Sequence, residues 1–206
     1  MNSRAMIKPF RSSLIALLAG ALLLSGCKSA PSPADPPLAG AAIGGPFTLV
    51  DKDGKTVRWS DFKGFYRIVY FGYTFCPDAC PTDVAVAMRG LDAFAKSHPK
   101  EADRIRPIFI SIDPARDTPQ VLKAYLQAMD PSFVGLTGSN EQIEAAAREF
   151  KVFYQKVPTS EGNYTMDHTA GAYVFDPEGH VRLFVRYGMG VDKVTADLRQ
   201  LLGKPA

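Results

Sequence analysis

The sequence predicts an α/β domain in which helices flank a central mixed β-sheet and a β-hairpin comes first. Two runs, Tyr66–Tyr70 and Ile105–Ile112, are mostly apolar with β-branched or aromatic residues, as in strands buried on both faces. Segments of helical periodicity follow each run. Two alternating strands around a strong turn lie nearer the C-terminus, which adds an antiparallel pair to an otherwise parallel sheet.

The first elements are a hairpin, a strand and a helix. Phe47–Val50 and Thr56–Trp59 flank an Asp53-Gly54 turn, the sequence typical of a two-stranded hairpin. The buried strand Tyr66–Tyr70 comes next. Thr82–Ser97 then has apolar residues at roughly the helical period, which predicts the first helix.

The middle of the chain alternates strands with helices. Thr118 and Pro119 form a capping and first-turn pair, which predicts a helix to about Met129. Phe133–Leu136 is a short apolar strand. Ser139–Gln142 forms a capping box, and the helix that it opens extends to about Phe150.

The last third is predicted as extended chain, a hairpin and a closing helix. Its predicted elements are an extended segment at Phe153–Val157, a polar loop at 158–164, strands at Ala172–Phe175 and Val181–Tyr187 around the Asp176–Gly179 turn, and a helix capped by Asp192 and ending at Leu202. The resulting order of elements is thioredoxin-like. Because that fold supports several chemistries, function has to be argued from the site.

The charge distribution argues against nucleic-acid binding. The chain has 24 Lys and Arg against 21 Asp and Glu, a formal charge of +3. Arg4, Lys8 and Arg11 account for that excess, since 24 − 3 leaves 21 basic residues against 21 acidic ones. No basic stripe remains to contact phosphates.

The N-terminus is predicted to be an export signal. The three cations precede an apolar segment, Leu14–Leu24, which is short for a membrane-spanning helix. The segment ends in Leu24-Ser25-Gly26-Cys27, which resembles a bacterial lipoprotein signal with lipidation at Cys27. An uncleaved membrane anchor is the alternative.

These features predict three regions: a signal peptide at 1–26, a lipidated cysteine with a flexible linker at 27–45, and a domain at 46–206. The linker prediction rests on Pro, Ala, Ser and Gly without periodicity. The domain is therefore expected on the periplasmic side of a bacterial membrane, held by lipid. Lys28 leaves the choice of membrane open, with the inner membrane favoured.

Two thiols follow the first core strand. Cys76 and Cys80 lie four positions apart at a strand-to-helix turn, with Pro77 expected in the first helical turn. They could hold a soft metal or form a redox-active disulfide, and the alternative is an inert, purely structural disulfide. The helix dipole is expected to lower the pKa of a thiol here.

His168 is the candidate third ligand. It precedes the strand at Ala172, where thioredoxins place a cis-proline facing the thiols; His98 and His180 are expected to face solvent. Two thiolates suit Cu(I), and an imidazole adds affinity for Cu(II), although zinc accepts the same set. Asp167 is a candidate to orient His168. Asp113 and Asp117 are interpreted as turn-forming or capping residues rather than metal ligands.

Three motifs together resemble the Sco/SenC family. They are Phe71–Pro81 around the thiols, Ser111–Pro119, and Asp167-His168-Thr169 followed by Asp176–Gly179. The resemblance implies that the protein delivers copper to the binuclear copper site of cytochrome c oxidase subunit II, or reduces the cysteines of that site. It also implies that Cys76, Cys80 and His168 are the copper ligands, and it leaves other periplasmic copper or thiol proteins as partners.

Two other functions use the same cysteines. The first is a thiol–disulfide oxidoreductase, an enzyme with Cys76 and Cys80 as its catalytic redox-active pair. Three residues between the cysteines and the absent cis-proline count against general disulfide exchange. The second is a peroxidase of peroxiredoxin type, which the paired cysteines fit poorly.

Overall fold

A seven-stranded sheet forms the centre of the computed structural model, which describes residues 36–77, 79–159 and 162–202. The strands of these residues are β1 (Thr48–Asp51), β2 (Thr56–Arg58), β3 (Tyr66–Gly72), β4 (Ile105–Ser111), β5 (Val134–Thr137), β6 (Tyr154–Pro158), β7 (Tyr164–His168), β8 (Gly171–Phe175) and β9 (Val181–Arg186). The helices are α1 (Ala79–Ala95), α2 (Pro99–Ala102), α3 (Pro119–Met129), α4 (Asn140–Glu149) and α5 (Val191–Leu202), with a 3-10 turn at Trp59–Phe62.

The central sheet is mixed, as predicted. Its strand order is β2-β1-β5-β4-β3-β8-β9. Strands β3, β4 and β5 are parallel, and β8 lies antiparallel to β3. Because β3 and β4 run in the same direction and Gly72 pairs with Ser111, the chain segments after both strands emerge at one edge of the sheet.

Helices cover both faces of the sheet. On one face Tyr70 stacks against Phe109, and Phe109 contacts Tyr125 of α3. On the other face Phe71 lies 5.3 Å, centroid to centroid, from Phe150 at the end of α4. Neighbouring residues of β3 thus serve opposite layers, as the alternation of a strand requires. The predicted thioredoxin-like sandwich is confirmed.

The closing helix packs on α1. Gly90 leaves room for Val194, and the Thr195 hydroxyl donates to the Gly90 carbonyl at 3.3 Å. Asp192 was expected to cap this helix, and that prediction is wrong. The helix begins at Val191, so Asp192 lies inside its first turn, and the carbonyl of Gly190 accepts the first helical hydrogen bond.

A second, two-stranded sheet contains the predicted extended segment and an additional strand. Strand β7 pairs antiparallel with β6, in a register that sets Tyr154 opposite His168 and Pro158 opposite Tyr164. The extended segment predicted at Phe153–Val157 is thus confirmed as β6, whereas the loop predicted at 158–164 is wrong at both ends, since Pro158 ends β6 and Tyr164 begins β7. Strand β7 is half exposed and contains polar residues such as Thr165 and Asp167, so its sequence does not indicate a strand.

Part of the predicted linker contacts the domain. The backbone N–H of Leu38 donates to the carbonyl of Arg182, that of Gly44 donates to Glu149, and the Leu38 and Ile43 side chains pack against the core. Residues before position 46 that were predicted to belong to the linker therefore contact the surface of the domain. The predicted signal peptide and Cys27 lie outside the described residues. Within the described part of the chain no helix is both long and apolar enough to cross a membrane.

Candidate metal centre

The turn between β3 and α1 carries both thiols. Cys80 lies in the first turn of α1, whereas Cys76 precedes the helix, and the backbone N–H of Cys80 donates to the Cys76 sulfur at 3.3 Å. Both cysteines are thiols in this structure. Pro77 was expected within the first helical turn, but α1 begins at Ala79, so Pro77 lies before the helix.

Asp117 holds this turn in place. Its buried carboxylate accepts hydrogen bonds from the Thr74 hydroxyl at 2.6 Å, the Thr74 N–H at 3.1 Å and the Ser111 hydroxyl at 2.6 Å. The loop after β4 is thereby tied to the residue two positions before Cys76. Asp117 is thus a structural acceptor, as the sequence interpretation expected.

Asp113 is used in a different network. Its carboxylate pairs with the Arg116 guanidinium and accepts from the Tyr164 hydroxyl at 2.8 Å. The guanidinium also lies 3.6 Å from the centroid of the Tyr164 ring. This pair therefore links the loop after β4 to β7, the strand that ends at His168.

His168 lies beside the thiols with its ring oriented by the backbone. Its Nε2 is 3.2 Å from the Cys80 sulfur, and its Nδ1 is 2.9 Å from the carbonyl oxygen of Thr169. A carbonyl can only accept, so Nδ1 carries a proton, and in the tautomer with that single proton the Nε2 lone pair faces the thiols. Asp167 was expected to orient the ring; it is exposed instead, and the Thr169 carbonyl has that role.

The three predicted ligands form one cluster. The sulfurs of Cys76 and Cys80 and a ring nitrogen of His168 all lie within 4.8 Å of one another. Cys80 is fully buried, while Cys76 and His168 are partly exposed. A metal ion would replace the direct contact between thiol and imidazole and could be reached from the Cys76 side.

The electrostatics of the buried thiol differ from the expectation. The hydrogen bond with Cys76 and burial raise the pKa of Cys80 well above its usual range. The prediction that the helix terminus lowers a thiol pKa is therefore wrong for Cys80, because a neighbouring sulfur and a dry site outweigh the dipole. A bound cation would reverse this balance by displacing the proton.

Gly72 leaves space for the Cys80 sulfur. A Cβ atom at position 72 would lie 3.1 Å from that sulfur and 2.7 Å from the ring of Tyr70. Both approaches are closer than ordinary van der Waals contact, so the last residue of β3 has to lack a side chain for the thiol to sit against the strand.

Asp83 is a site residue that the sequence analysis missed. It is only 8% exposed, and its carboxylate accepts from the Tyr70 hydroxyl at 3.4 Å. Burial raises the pKa of Asp83, and the hydrogen bond from Tyr70 partly opposes that increase. Its position three residues after Cys80 on a helix was the available signal, since i and i+3 share a face.

Two exposed aromatic side chains neighbour residues of the cluster. Phe75, next to Cys76, is 52% exposed, with the Arg116 guanidinium 4.8 Å from the centroid of its ring, and Phe153, whose backbone pairs with Thr169, is 60% exposed. The other two histidines lie elsewhere: His98 stacks on Phe94, where it is only partly exposed, and the exposed His180 faces Asp176. Only His168 joins the thiols.

The fold and the cluster together define a thioredoxin-like protein with a Cys₂His set of side chains that could hold a metal ion. The SCO1/SenC family model matches residues 35–203, and the chain therefore belongs to the SCO1/SenC family.

Sequence identity to curated relatives agrees with membership of this family. The chain is 37% identical over 155 residues to SCO1 homolog 1, mitochondrial, of Arabidopsis thaliana, across 75% of this chain and 46% of that protein. It spans between about half and two thirds of the length of the curated relatives it matches.

Two solved structures share the fold. The copper-bound structure of Bradyrhizobium japonicum ScoI is 42% identical, with a TM-score of 0.69, over 77% of this chain and 99% of that one. BsSco, described as a member of the Sco family of cytochrome c oxidase assembly proteins with a disulfide switch, is 28% identical, with a TM-score of 0.58, over 81% of this chain and 95% of that one.

Proposed function

We propose that the protein is a membrane-tethered periplasmic copper-binding protein. It delivers copper to the binuclear copper site of cytochrome c oxidase subunit II, or prepares the thiols of that site. The observation that carries the proposal is the convergence of Cys76, Cys80 and His168, whose ligand atoms lie within 4.8 Å of one another. Family membership and the copper-bound ScoI structure support it.

The ligand set suits copper in both oxidation states. Two thiolates satisfy Cu(I), which is soft and stable with few ligands, and the imidazole adds a nitrogen that Cu(II) favours. Because the Nδ1 proton of His168 is held by the Thr169 carbonyl, Nε2 is available without further rearrangement of the proton. Zinc accepts the same ligands, so the choice of copper rests on the family relation.

The burial of the ligands suggests how copper leaves. Cys80 is fully buried and Cys76 is partly exposed, so an incoming thiolate of the acceptor would reach the metal on the Cys76 side. The exposed rings of Phe75 and Phe153 would lie against the acceptor. Ligand exchange there would pass copper from the Cys76 sulfur to the thiolate of the acceptor.

The tether places the domain near its recipient. We infer that Cys27 carries lipid after removal of residues 1–26, which holds the domain on the periplasmic side, on the inner membrane by preference. We infer that the recipient, subunit II of the oxidase, lies at the same membrane. A membrane anchor would raise the effective concentration of donor and acceptor for one another.

Copper stoichiometry in cysteine variants tests the proposal. The reduced domain, loaded anaerobically and dialysed against a competing chelator, should hold one Cu(I) per chain. Cys76→Ser and Cys80→Ser should each lose that copper, since one thiolate and one imidazole leave the ion exchangeable. His180→Ala, which alters an exposed histidine away from the cluster, serves as the matched control and should retain it. Stoichiometric copper in either cysteine variant would reject this site.

A thiol–disulfide oxidoreductase is the second candidate. It is favoured by the pairing of a partly exposed Cys76 with a fully buried Cys80, the arrangement of an attacking and a resolving thiol. In that reaction the Cys76 thiolate attacks a substrate disulfide, and Cys80 then displaces the reduced substrate as the Cys76–Cys80 disulfide forms. Reduction of a subunit II disulfide by the metal-free domain, in the absence of any copper transfer from the loaded domain, would favour this function.

A further inference from the structure

We propose that the buried carboxylate of Asp83 biases the site toward Cu(II) and thereby sets the balance between the two oxidation states. The inference rests on the proposed copper function and concerns a residue that is not a ligand. Asp83 acts on the bound copper electrostatically, through space, and does not bond to the metal.

Asp83 lies close to Cys80 on helix α1. Asp83 follows Cys80 by three residues within α1, which sets their Cβ atoms about 5–6 Å apart on one helix face. Its carboxylate accepts from the Tyr70 hydroxyl at 3.4 Å. The Tyr70 ring stands edge-on to His168, with centroids 6.1 Å apart, so one tyrosine contacts both the carboxylate and the surroundings of the imidazole.

The Asp83 carboxylate has no cationic partner among the described residues. Asp83 is 8% exposed, and a carboxylate is rarely buried unless a positive charge or several donors compensate it. None of the ion pairs among residues 36–77, 79–159 and 162–202 includes Asp83, and the Tyr70 hydroxyl that donates to its carboxylate is a neutral phenol. A copper ion held by Cys76, Cys80 and His168 would provide the missing positive charge.

The net charge of the ligands and the metal makes the effect of Asp83 depend on the oxidation state of copper. Two thiolates and a neutral imidazole give the ligand set a charge of about −2, so the site becomes −1 with Cu(I) and neutral with Cu(II). An additional buried carboxylate attracts Cu(II) about twice as strongly as Cu(I). Removal of that carboxylate should therefore weaken Cu(II) binding more than Cu(I) binding.

The test is the ratio of the two copper affinities in Asp83→Asn, an isosteric change that removes the charge. We expect the ratio of Cu(I) to Cu(II) affinity to rise at least tenfold. For this one-electron couple a tenfold change equals 59 mV, and the Cu(II)/Cu(I) potential should rise by that amount. The sulfur-to-Cu(II) absorption should persist, because all three ligands are unchanged.

Two variants control for structure and for overall charge. Asp92→Asn removes the same charge from an exposed position of α1 and should change the ratio less than threefold. Asp83→Glu keeps the charge and should leave the ratio within threefold of the wild type. Where Asp83→Asn does not fold, Asp83→Ser provides the same measurement.

The outcomes separate this inference from the proposed function. A ratio in the folded charge-removing variant within threefold of the wild type, with copper still bound, overturns the role of Asp83 and leaves copper binding intact. The same shift in Asp92→Asn also overturns it, since net charge would then be the cause. Failure of the wild-type domain to take up copper overturns the proposed function and this inference together.

Discussion

The Nε2 atom of His168 lies 3.2 Å from the sulfur of Cys80, although 88 residues separate the two along the chain. Cys80 is positioned by the turn after a core strand, whereas His168 ends a strand of the small second sheet. Tyr70 and Tyr73 both stand edge-on to the imidazole, with centroids 6.1 Å away. The ring is therefore held on two sides by aromatic groups and at Nδ1 by the backbone.

Replacement of His168 should separate the two oxidation states of copper. His168→Ala is expected to retain most Cu(I) binding, because the two thiolates remain. It should lose the intense sulfur-to-Cu(II) absorption, since Cu(II) depends on the imidazole nitrogen. Absorption spectra of the Cu(II)-loaded proteins and chelator competition for Cu(I) provide the two measurements.

His98→Ala is the matched control and should resemble the wild type in both measurements. The His168 variant should still form the Cys76–Cys80 disulfide, since that bond needs no histidine. Wild-type binding of both copper states, together with lost thiol exchange, would assign His168 to the oxidoreductase instead.

Asp117 is expected to be critical for stability and for the thiol turn. Asp117→Ala leaves the Thr74 N–H and the Ser111 hydroxyl without their acceptor, and should lower the free energy of unfolding by about 3 kcal/mol. Copper affinity should fall as well, because the turn that positions Cys76 loses its anchor. Urea unfolding and chelator competition measure the two effects.

Asp53→Ala is the control for Asp117. Asp53 pairs with Lys52 and Lys123 at the exposed hairpin turn, and its loss should change the free energy of unfolding far less than the loss of Asp117 does. Equal effects of the two substitutions would contradict the role assigned to Asp117.

The sequence was sufficient to predict the strands of the central sheet and to single out the three side chains that cluster in the structure. Strands such as Tyr66–Gly72 are mostly apolar runs, and the capping signals at Thr118 and Ser139 are local, so each can be recognised without tertiary information. The structure confirms both caps. The order of strands in the sheet depends on long-range pairing, and no local pattern of the chain encodes it.

The missed features depend on burial and on distant partners. Strand β7 is stabilised by β6 and by the Tyr73 hydroxyl, which accepts from the Met166 N–H at 3.2 Å, and its own composition is too polar to predict a strand. Aspartate is typical of solvent-exposed positions on a helix, so Asp83 is not recognisable as a buried residue from its type. Only the packing of α1 against the sheet places its carboxylate beside Tyr70.

Gly72 should tolerate no side chain. In Gly72→Ala the added methyl meets the Cys80 sulfur and the Tyr70 ring, so we expect a loss of about 2 kcal/mol in the free energy of unfolding. Cu(I) affinity should also fall, because the sulfur is displaced. Gly190→Ala, where a Cβ meets nothing within 4 Å, should match the wild type in chelator competition. Unchanged copper affinity in Gly72→Ala would show that the sulfur moves without consequence.

Cys27 should determine processing of the precursor. Cys27→Ser is expected to leave residues 1–26 attached, because a lipoprotein signal requires the cysteine that receives the lipid. The intact mass of the membrane-bound protein provides the measurement. Cys76→Ser should be processed normally, which controls for loss of a thiol. A mature chain of normal length in Cys27→Ser would indicate an ordinary signal peptidase.

The buried thiol should make the reduced, metal-free domain sensitive to alkali. The pKa of Cys80 is raised in the folded state from about 9.0 when unfolded, mainly by its hydrogen bond with Cys76 and by burial. Above pH 9 the unfolded chain therefore loses a proton that the folded chain keeps. The stability due to this group is fully present below pH 9 and falls by up to about 1.4 kcal/mol per pH unit above it.

Urea unfolding at pH 8 and pH 10 under anaerobic, reducing conditions measures this loss. The comparison stops at pH 10 because burial also raises the pKa values of Tyr70 and Tyr125. Above pH 10 these tyrosines begin to contribute to the pH dependence of the free energy of unfolding. Between the two pH values the free energy of unfolding of Cys80→Ala should decrease less than that of the wild type. The difference should correspond to the titration of roughly one proton. The Cu(I)-loaded wild type should also decline less, since the metal keeps the sulfur deprotonated in the folded state. An identical decrease in wild type and Cys80→Ala would show that Cys80 does not retain its proton.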